Sequence, residues 1–521
     1  MRSAVIDIGS TSIKLIVGEL SGDEIKVIET LKNVIPIGRH AFLKGRIPQG
    51  IINQTVGVLE RYKQVLTELD VHDFTVIATT AVREARNRDI FLDTVFRKTG
   101  FKIDVLNAGD VVYYIDSFLS HSTKIKKAYP IREKNLLIGE LGAGSLDISV
   151  MEKGNTLMNI GFPIGTLRLS QFMAGLDGSM GEIYDAVEEY ILHEIKYLQQ
   201  MNPKLNVDDI ILIDENYSVY IQNILPNKRR DSNFFQFKKT ESDEFLARLR
   251  ERSSTEIARD YNIPVDISET IVGYASILNS LFKLTNKENI FILQTSLSEA
   301  ILANLLDKYE TPEKNNKTDQ LVSVATYLCR KFNLDLNHMS HVANLSQTLF
   351  QELKGTLGLE DKDQLYLTLA AYLHDIGMFI NNRAHHKHTE YVINSLNLFR
   401  LTEQEIKIIA AVARYHRKSS PLVTHVIYNS LSTDQQILVQ KLSSLLRVAN
   451  SLDRSHRQKV KKLEVKFMKN EDVHLIVYTH ESFLLEKSSF MEKKGFYEEI
   501  TGNRLMLIVR QEESAGSKDA S

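Results

Sequence analysis

The sequence predicts an α/β N-terminal half built on a duplicated strand–turn–strand unit, then an all-α domain, then a small α/β cap. Three observations predict it. A ten-residue segment that begins at Ile6 recurs in register from Gly139. The texture turns helical after the polar stretch 311–319. Alternating apolar and polar residues return after His456.

Composition limits the rest. A chain of 521 residues gives a prior of roughly three domains at about 150 residues each. With 64 Lys and Arg against 66 Asp and Glu, the formal charge is −2. No global field then draws the protein to a membrane or to nucleic acid, and no specific binding of either is expected. Small anions need only local positive groups. Cys329 is the single cysteine, which excludes an intramolecular disulfide and a cysteine-rich zinc site and suits a reducing cytoplasm. No apolar run reaches the roughly 20 residues that span a bilayer, and Met1-Arg2-Ser3 leads straight into a strand rather than into a leader's apolar core. A soluble cytoplasmic protein is expected. The polar tail 512–521 is expected to be disordered.

In chain order, residues 4–6, 13–17 and 74–77 read as strands and 51–69 as an amphipathic helix. The repeat aligns Ile6-Asp7-Ile8-Gly9-Ser10-Thr11-Ser12 with Gly139-Glu140-Leu141-Gly142-Ala143-Gly144-Ser145. Each copy is a strand, a turn of small residues and a second strand. Backbone N–H groups in such turns approach phosphate oxygens closely. Asp7 and Glu140, the catalytic candidates, then face a divalent cation, for which carboxylate and phosphate oxygens suit Mg²⁺. The phosphate-binding candidates are Gly9, Ser10, Thr11 and Ser12 in one turn and Gly142, Ala143, Gly144 and Ser145 in the other. A pair of ordinary β-hairpins is the alternative. Arg83 is a further phosphate candidate because guanidinium groups bind phosphate bidentately; Arg86 and Arg168 are weaker ones.

The first turn with its flanking strands, the segment Ala78-Thr79-Thr80-Ala81-Val82-Arg83-Glu84-Ala85-Arg86-Asn87, and Ile164-Gly165-Thr166-Leu167-Arg168-Leu169 resemble the exopolyphosphatase and guanosine-pentaphosphate phosphatase family. The resemblance extends over essentially the whole chain, including 372–377, 385–391, 413–418 and 445–456. It implies two actin-like (ASKHA, ribonuclease H-like) domains at 1–125 and 126–305, a helical HD-type domain at 315–458, and a cap at 459–511. It also implies a homodimer and removal of terminal phosphate from polyphosphate or a phosphorylated guanine nucleotide. The sequence departs from the family where its chemistry is done. The family's Gly-x-Glu-Glu-Ala segment corresponds to Gly109-Asp110-Val111-Val112-Tyr113, so valines stand where the water-activating glutamate is expected, and Asp110 is the substitute candidate. Glu140 and Ala143 change the second turn mildly. Residues 213–217, Ile-Asp-Glu-Asn-Tyr, put carboxylates where a later Gly-Gly-Thr segment cradles an anion.

The helical half carries a second constellation. Val342, Leu345, Leu349 and Phe350 follow helical spacing after His338; residues 365–373 lead into His374-Asp375; Leu445, Leu446, Ala449 and Leu452 lead into Asp453. Imidazole and carboxylate together suit Mn²⁺, Fe²⁺, Zn²⁺ or Mg²⁺ and leave positions for water and a phosphate oxygen. Of His385, His386, His388 and His416, spacing in His-Asp phosphohydrolases favours His385 and His416 as further ligands. In the cap, 460–467, 473–478 and 505–509 read as strands around a helical segment at 482–494. Arg454, Arg457, Lys459, Lys461 and Lys462 form a short basic cluster.

Three functions follow: phosphoanhydride hydrolysis at the N-terminal clamp, metal-dependent hydrolysis of a nucleotide or phosphoester at the His-Asp site, or sensing of polyphosphate or an alarmone without turnover.

Overall fold

The computed structural model describes residues 2–21, 24–201, 206–226, 228, 232–307, 317–396, 398–417, 420–422, 424–468 and 472–511. The tail 512–521 and residues 311–316 of the expected boundary lie outside them. The chain divides into two compact units, Met1–Asn315 and Asn316–Ser521.

In the first unit, β1 (Arg2–Ile8), β2 (Ser12–Ser21) and β3 (Glu24–Val34) form an antiparallel meander, and β4 (Asp73–Ala78) and β5 (Ile103–Val105) extend the sheet in parallel beyond β1. The strand order is β3-β2-β1-β4-β5. A second meander of β6 (Asn135–Leu141), β7 (Leu146–Glu152) and β8 (Asn155–Phe162) is extended by β9 (Asp209–Ile213), then by β10 (Phe234–Lys238) and β11 (Asn289–Leu293), giving the order β10-β11-β9-β6-β7-β8. β9 is parallel to β6 and β11 to β9. The sequence repeat is thus a repeat of topology: Asp7 pairs across its hairpin with Lys14, and Glu140 with Asp147.

Strand parity aims these residues. Ala4, Ile6 and Ile8 enter a core on the outer face of the first sheet, together with Ile13, Leu15 and Val17 of β2. Val5 and Ile16 enter a different core, shared with Ile138, Ile211, Ile213 and Leu293 of the second sheet and with the helices Ala108–His121 and Leu297–Asp307. Side chains alternate between faces, so Asp7 follows Val5, Lys14 follows Ile16, and Glu140 follows Ile138 towards the space between the sheets.

Asp116 fastens the helix Ala108–His121 to the second sheet: Ser149 Oγ and Thr156 Oγ1 donate to its carboxylate at 2.9 and 2.7 Å. Burial pushes its carboxyl up to about 7, against the pull of both hydroxyls. Between about pH 4 and 7 the folded state keeps a proton that the unfolded chain releases, so stability falls as pH rises through that window. Asp116→Asn removes this penalty. Its melting temperature is expected to exceed wild type by a margin that grows from about pH 4 to pH 7 and is flat above. The corresponding gain in unfolding free energy reaches at most about 4 kcal/mol, because each tenfold change in proton affinity is worth about 1.4 kcal/mol.

In the second unit the helices Lys317–Lys331, Leu336–Leu357, Asp363–Leu373, His385–Asn394, Glu403–Arg414 and Thr433–Ser451 pack together. Val342, Leu345, Leu349 and Phe350 are buried, as their spacing predicts. Starts are fixed by side chains: Asp335 accepts from His338 N, and Thr402 with Glu405 and Ser432 with Gln435 form capping boxes. The strands β12 (Lys462–Phe467), β13 (Val473–Thr479) and β14 (Leu505–Gln511) form a small sheet in that order, with the helix Leu484–Thr501 connecting β13 to its parallel neighbour β14. No described helix is long and apolar enough to cross a membrane.

Candidate functional site

The two turns of the repeat face one cavity of about 110 Å³, lined by Asp7, Gly9, Ser10, Thr11 and Ser12 from one side and by Glu140, Gly142, Ala143, Gly144 and Ser145 from the other. Their backbones close alike: Gly9 N donates to Ser12 O at 2.9 Å and Gly142 N to Ser145 O at 3.0 Å. The second turn is pressed against Gly165, where a Cβ would come within 2.4 Å of the Ala143 carbonyl and the Gly144 backbone. Only glycine permits that approach.

Carboxylates crowd this cavity. Burial, then the nearby Glu215, pushes Asp7 up to about 6, and Asp7 Oδ1 is sealed without a hydrogen-bond partner while Oδ2 accepts from Ser298 at 3.0 Å. Burial, then Asp147, Asp7, Glu215 and Asp214, holds Glu140 well above the usual range. Asp147 is buried, is pushed up to about 6 by that burial, and also has an unpartnered oxygen, Oδ1; its Oδ2 accepts from Ser145 Oγ at 3.1 Å. Mutual repulsion among hard oxygen donors is the arrangement a divalent cation relieves. The residues present therefore fit Mg²⁺. The cations of the cavity are Lys14, which bonds Glu215 and Ser296 at 3.0 Å each, and Lys32, which bonds Asn216 at 3.1 Å.

Several candidates stand elsewhere than the sequence suggests. Asp110 forms the capping box of the helix Ala108–His121: Asn107 N donates to Oδ2 and Asp110 N to Asn107 Oδ1, each at 3.0 Å. Val111, not Asp110, lines the cavity. Arg83 donates to the Leu106 carbonyl at 2.6 Å and to Thr80 Oγ1 at 3.2 Å, so its guanidinium braces the loop behind Ser145 instead of reaching the turns. Arg168 bonds Gly144 O and Glu84 over the Phe42 ring, and Arg86 is exposed. Asp214 accepts the backbone N–H groups of Asn216, Tyr217 and Ser218 and Glu215 pairs with Lys14, yet both carboxylates still raise Glu140, and Glu215 raises Asp7. Sequence reasoning missed Lys14 and Asp147. Both lie inside the ten-residue repeat at equivalent positions, where the pairing of Asp7 with Lys14 and of Glu140 with Asp147 marks them. Lys32 lies on β3, which carries no such signal.

The second constellation is sharper. His374, His385 and His416 each direct Nδ1 at a backbone carbonyl, of Ala371 (2.7 Å), Asn382 (3.0 Å) and Ala413 (2.6 Å). A carbonyl only accepts, so Nδ1 carries the hydrogen and Nε2 is left with a lone pair. Those Nε2 atoms converge on Asp375, at 3.7 Å for His374, 3.1 Å for His385 and 3.3 Å for His416, and the last two lie 3.2 Å apart. Burial holds His374 below the ordinary histidine range and His416 well below it. Lone pairs so close repel unless a cation sits among them. Among the described residues two triads meet this description, His338-His374-Asp375 and Asp375-His385-His416, with Asp375 common to both. The donor set fits a transition metal or Mg²⁺.

Asp453, expected among the ligands, instead grips the back of one. Its Oδ2 lies 2.8 Å from His338 Nδ1 and its Oδ1 accepts Gln458 N at 2.7 Å, while His338 Nε2 is buried without a partner. An imidazole oriented by a carboxylate behind it is a common way of aiming a ligand. Asp453→Asn is therefore expected to lower metal affinity about 10- to 100-fold without abolishing it, as read by competition with a chelating dye. The His385 side of the site depends on Gly377, where a Cβ would lie 2.2 Å from His385 O and 2.3 Å from Thr389 N. Gly377→Ala sets backbone against backbone and is expected to cost at least about 1–3 kcal/mol, seen as a lower melting temperature together with weaker metal binding.

Comparison with known proteins agrees with this architecture. A model of the Ppx/GppA phosphatase family matches residues 15–210, and a model of Ppx/GppA phosphatase, domain III, matches residues 322–493. The guanosine-5'-triphosphate,3'-diphosphate pyrophosphatase of Pseudoalteromonas translucida is 21% identical over 469 residues, covering 86% of each chain. That of Photobacterium profundum is 22% identical over 468 residues, covering 85% of this chain and 84% of its own. Among solved structures, the Ppx/GppA family member of Aquifex aeolicus superposes with a TM-score of 0.51 at 21% identity over 60% of this chain and 99% of that one. An exopolyphosphatase from Cytophaga hutchinsonii does so with 0.52 at 18% identity over 59% and 98%. The actin-like fold of those structures and the two family matches, one in each compact unit, lead to one conclusion: the chain belongs to the Ppx/GppA phosphatase family.

Proposed function

We propose that the protein hydrolyses the terminal phosphoanhydride bond of inorganic polyphosphate or of guanosine pentaphosphate at the N-terminal cavity. The observation that carries this reading is the pair of acid-tipped turns, Asp7 to Ser12 and Glu140 to Ser145, closing on one cavity. The names of the full-length relatives support the same chemistry. In this reading the hydroxyls of Ser10, Thr11 and Ser145 and the ammonium groups of Lys14 and Lys32 hold phosphate oxygens. Asp7 and Glu140 hold a divalent cation, which supplies charge neutralisation at the scissile phosphate when bound.

The atypical feature is the base. With Val111 in the cavity wall, the group best suited to take a proton from water is Asp147, a buried carboxylate that lines the same cavity. A carboxyl near 6 is ionised at neutral pH and close enough to it to be an effective base. Asp147 accepts a proton as the water oxygen bonds to the terminal phosphorus. The bridging P–O bond breaks, and the shortened chain leaves with its new charge facing Lys14 and Lys32.

A second reading is favoured by the converging Nε2 atoms around Asp375: the C-terminal unit is an HD-type domain with its own metal-dependent phosphohydrolase centre. Phosphate release from long-chain polyphosphate in Mg²⁺ or Mn²⁺, compared among wild type, Asp7→Ala and Asp375→Ala, separates the two. Loss only with Asp7→Ala supports the first reading; loss only with Asp375→Ala supports the second. No release by wild type from polyphosphate or from guanosine pentaphosphate sinks the first reading and points to binding without turnover.

A further inference from the structure

The Asp375-His385-His416 triad opens on a cavity of about 790 Å³ inside the C-terminal unit. Orthophosphate alone leaves such a space mostly empty, whereas small-molecule sites commonly occupy about 300–1,000 Å³. Its wall carries more cations than acids, with Glu492 as the acid beside them. Arg417 follows the ligand His416; Arg447 comes from the helix Thr433–Ser451; Arg454 follows Asp453; Lys493 comes from the helix Leu484–Thr501 of the cap.

Of the cluster visible in the sequence, Lys459 pairs with buried Glu486, Arg457 with Glu481 and Lys462 with Glu464. Arg454 turns into the cavity instead. Arg447 is aimed by its Nε bond to Tyr415 O at 2.6 Å and by the Phe496 ring 4.1 Å away. Burial, then Arg447 and Arg417, pushes Lys493 down to about 8, a sign that positive charges crowd one another. Like charges gathered on a partly desolvated wall are stabilised by a multivalent anion.

We propose that the C-terminal centre takes a nucleotide-sized substrate carrying at least two phosphate groups, one at Asp375-His385-His416 and another on the wall of Arg417, Arg447, Arg454 and Lys493. This rests on the second reading above and adds the substrate class to it. Hydrolysis breaks one P–O bond, water's oxygen forms the replacement, and water's hydrogens end on the leaving oxygen and the released phosphate. The phosphate on the wall is left untouched and serves for recognition.

The test is calorimetric titration of the full-length chain in Mn²⁺ with adenosine 3',5'-bisphosphate and with adenosine 5'-monophosphate, with phosphate release from each followed in parallel. The bisphosphate is expected to bind at least tenfold tighter. That preference is expected to vanish in Arg454→Ala/Lys493→Ala, to survive in Lys493→Arg, which keeps the charge, and to survive in Lys461→Ala, which removes a charge outside the wall. Equal affinities, or a preference indifferent to the wall variants, overturn the proposal. Cleavage of p-nitrophenyl phosphate with Mn²⁺ is measured alongside. Cleavage abolished by Asp375→Ala, without any bisphosphate preference, keeps the second reading and removes this proposal. A wall-dependent preference with no cleavage of either phosphate compound overturns the hydrolytic reading itself.

Discussion

Asp147→Asn is expected to lower turnover of polyphosphate about 10²- to 10⁴-fold, the range over which a positioned base contributes. The loss falls in kcat, with KM little changed, because the amide keeps an oxygen for the Ser145 hydroxyl that now donates to Oδ2. If Asp147 is the base, the wild-type kcat–pH profile is expected to show an acidic limb that disappears from the residual activity of the variant. Introducing Val111→Glu into that variant supplies a carboxylate on the same cavity wall and is expected to restore at least tenfold. Full activity in Asp147→Asn, measured by phosphate release at saturating Mg²⁺, rules out the assigned base. Thermal melts of both variants separate a catalytic loss from unfolding.

The second large effect is expected at Asp375. Because this one carboxylate belongs to both triads, Asp375→Ala should strip the C-terminal unit of metal, where a change at His338 or His416 should spare the other triad. Manganese retained after desalting, read by mass spectrometry, is the measurement. Retention in Asp375→Ala equal to wild type rules out the shared position. The contrast with Asp453→Asn, which should weaken metal binding without ending it, separates a residue among the converging atoms from one that only aims His338.

Much of this was legible in the sequence because it depends on local pattern. Strand parity and the repeat of Asp7 to Ser12 at Glu140 to Ser145 gave both the doubled topology and the facing turns. Helical spacing after His338 and before His374 gave the buried stripes and the histidines at their ends. What was not legible depends on what each polar atom finds after folding. Asp110 sits beside the position of the expected glutamate, yet an asparagine three residues earlier captures it as a cap. Arg83 lies in a phosphate-like segment, yet the Leu106 carbonyl takes its guanidinium. Asp453 occupies a ligand position in sequence, and only the fold reveals that Gln458 and His338 satisfy it from behind.

The shared parity of Asp7 with Val5, and of Glu140 with Ile138, ties the chemistry of this chain to its inheritance. Inserting or deleting one codon in β1 or β6 rotates every later side chain of the strand to the opposite face. The acid would leave the cavity in the same event that drove core residues into water. A change of that kind costs foldedness and the site together, so the two acids can be exchanged by substitution but cannot move along their strands.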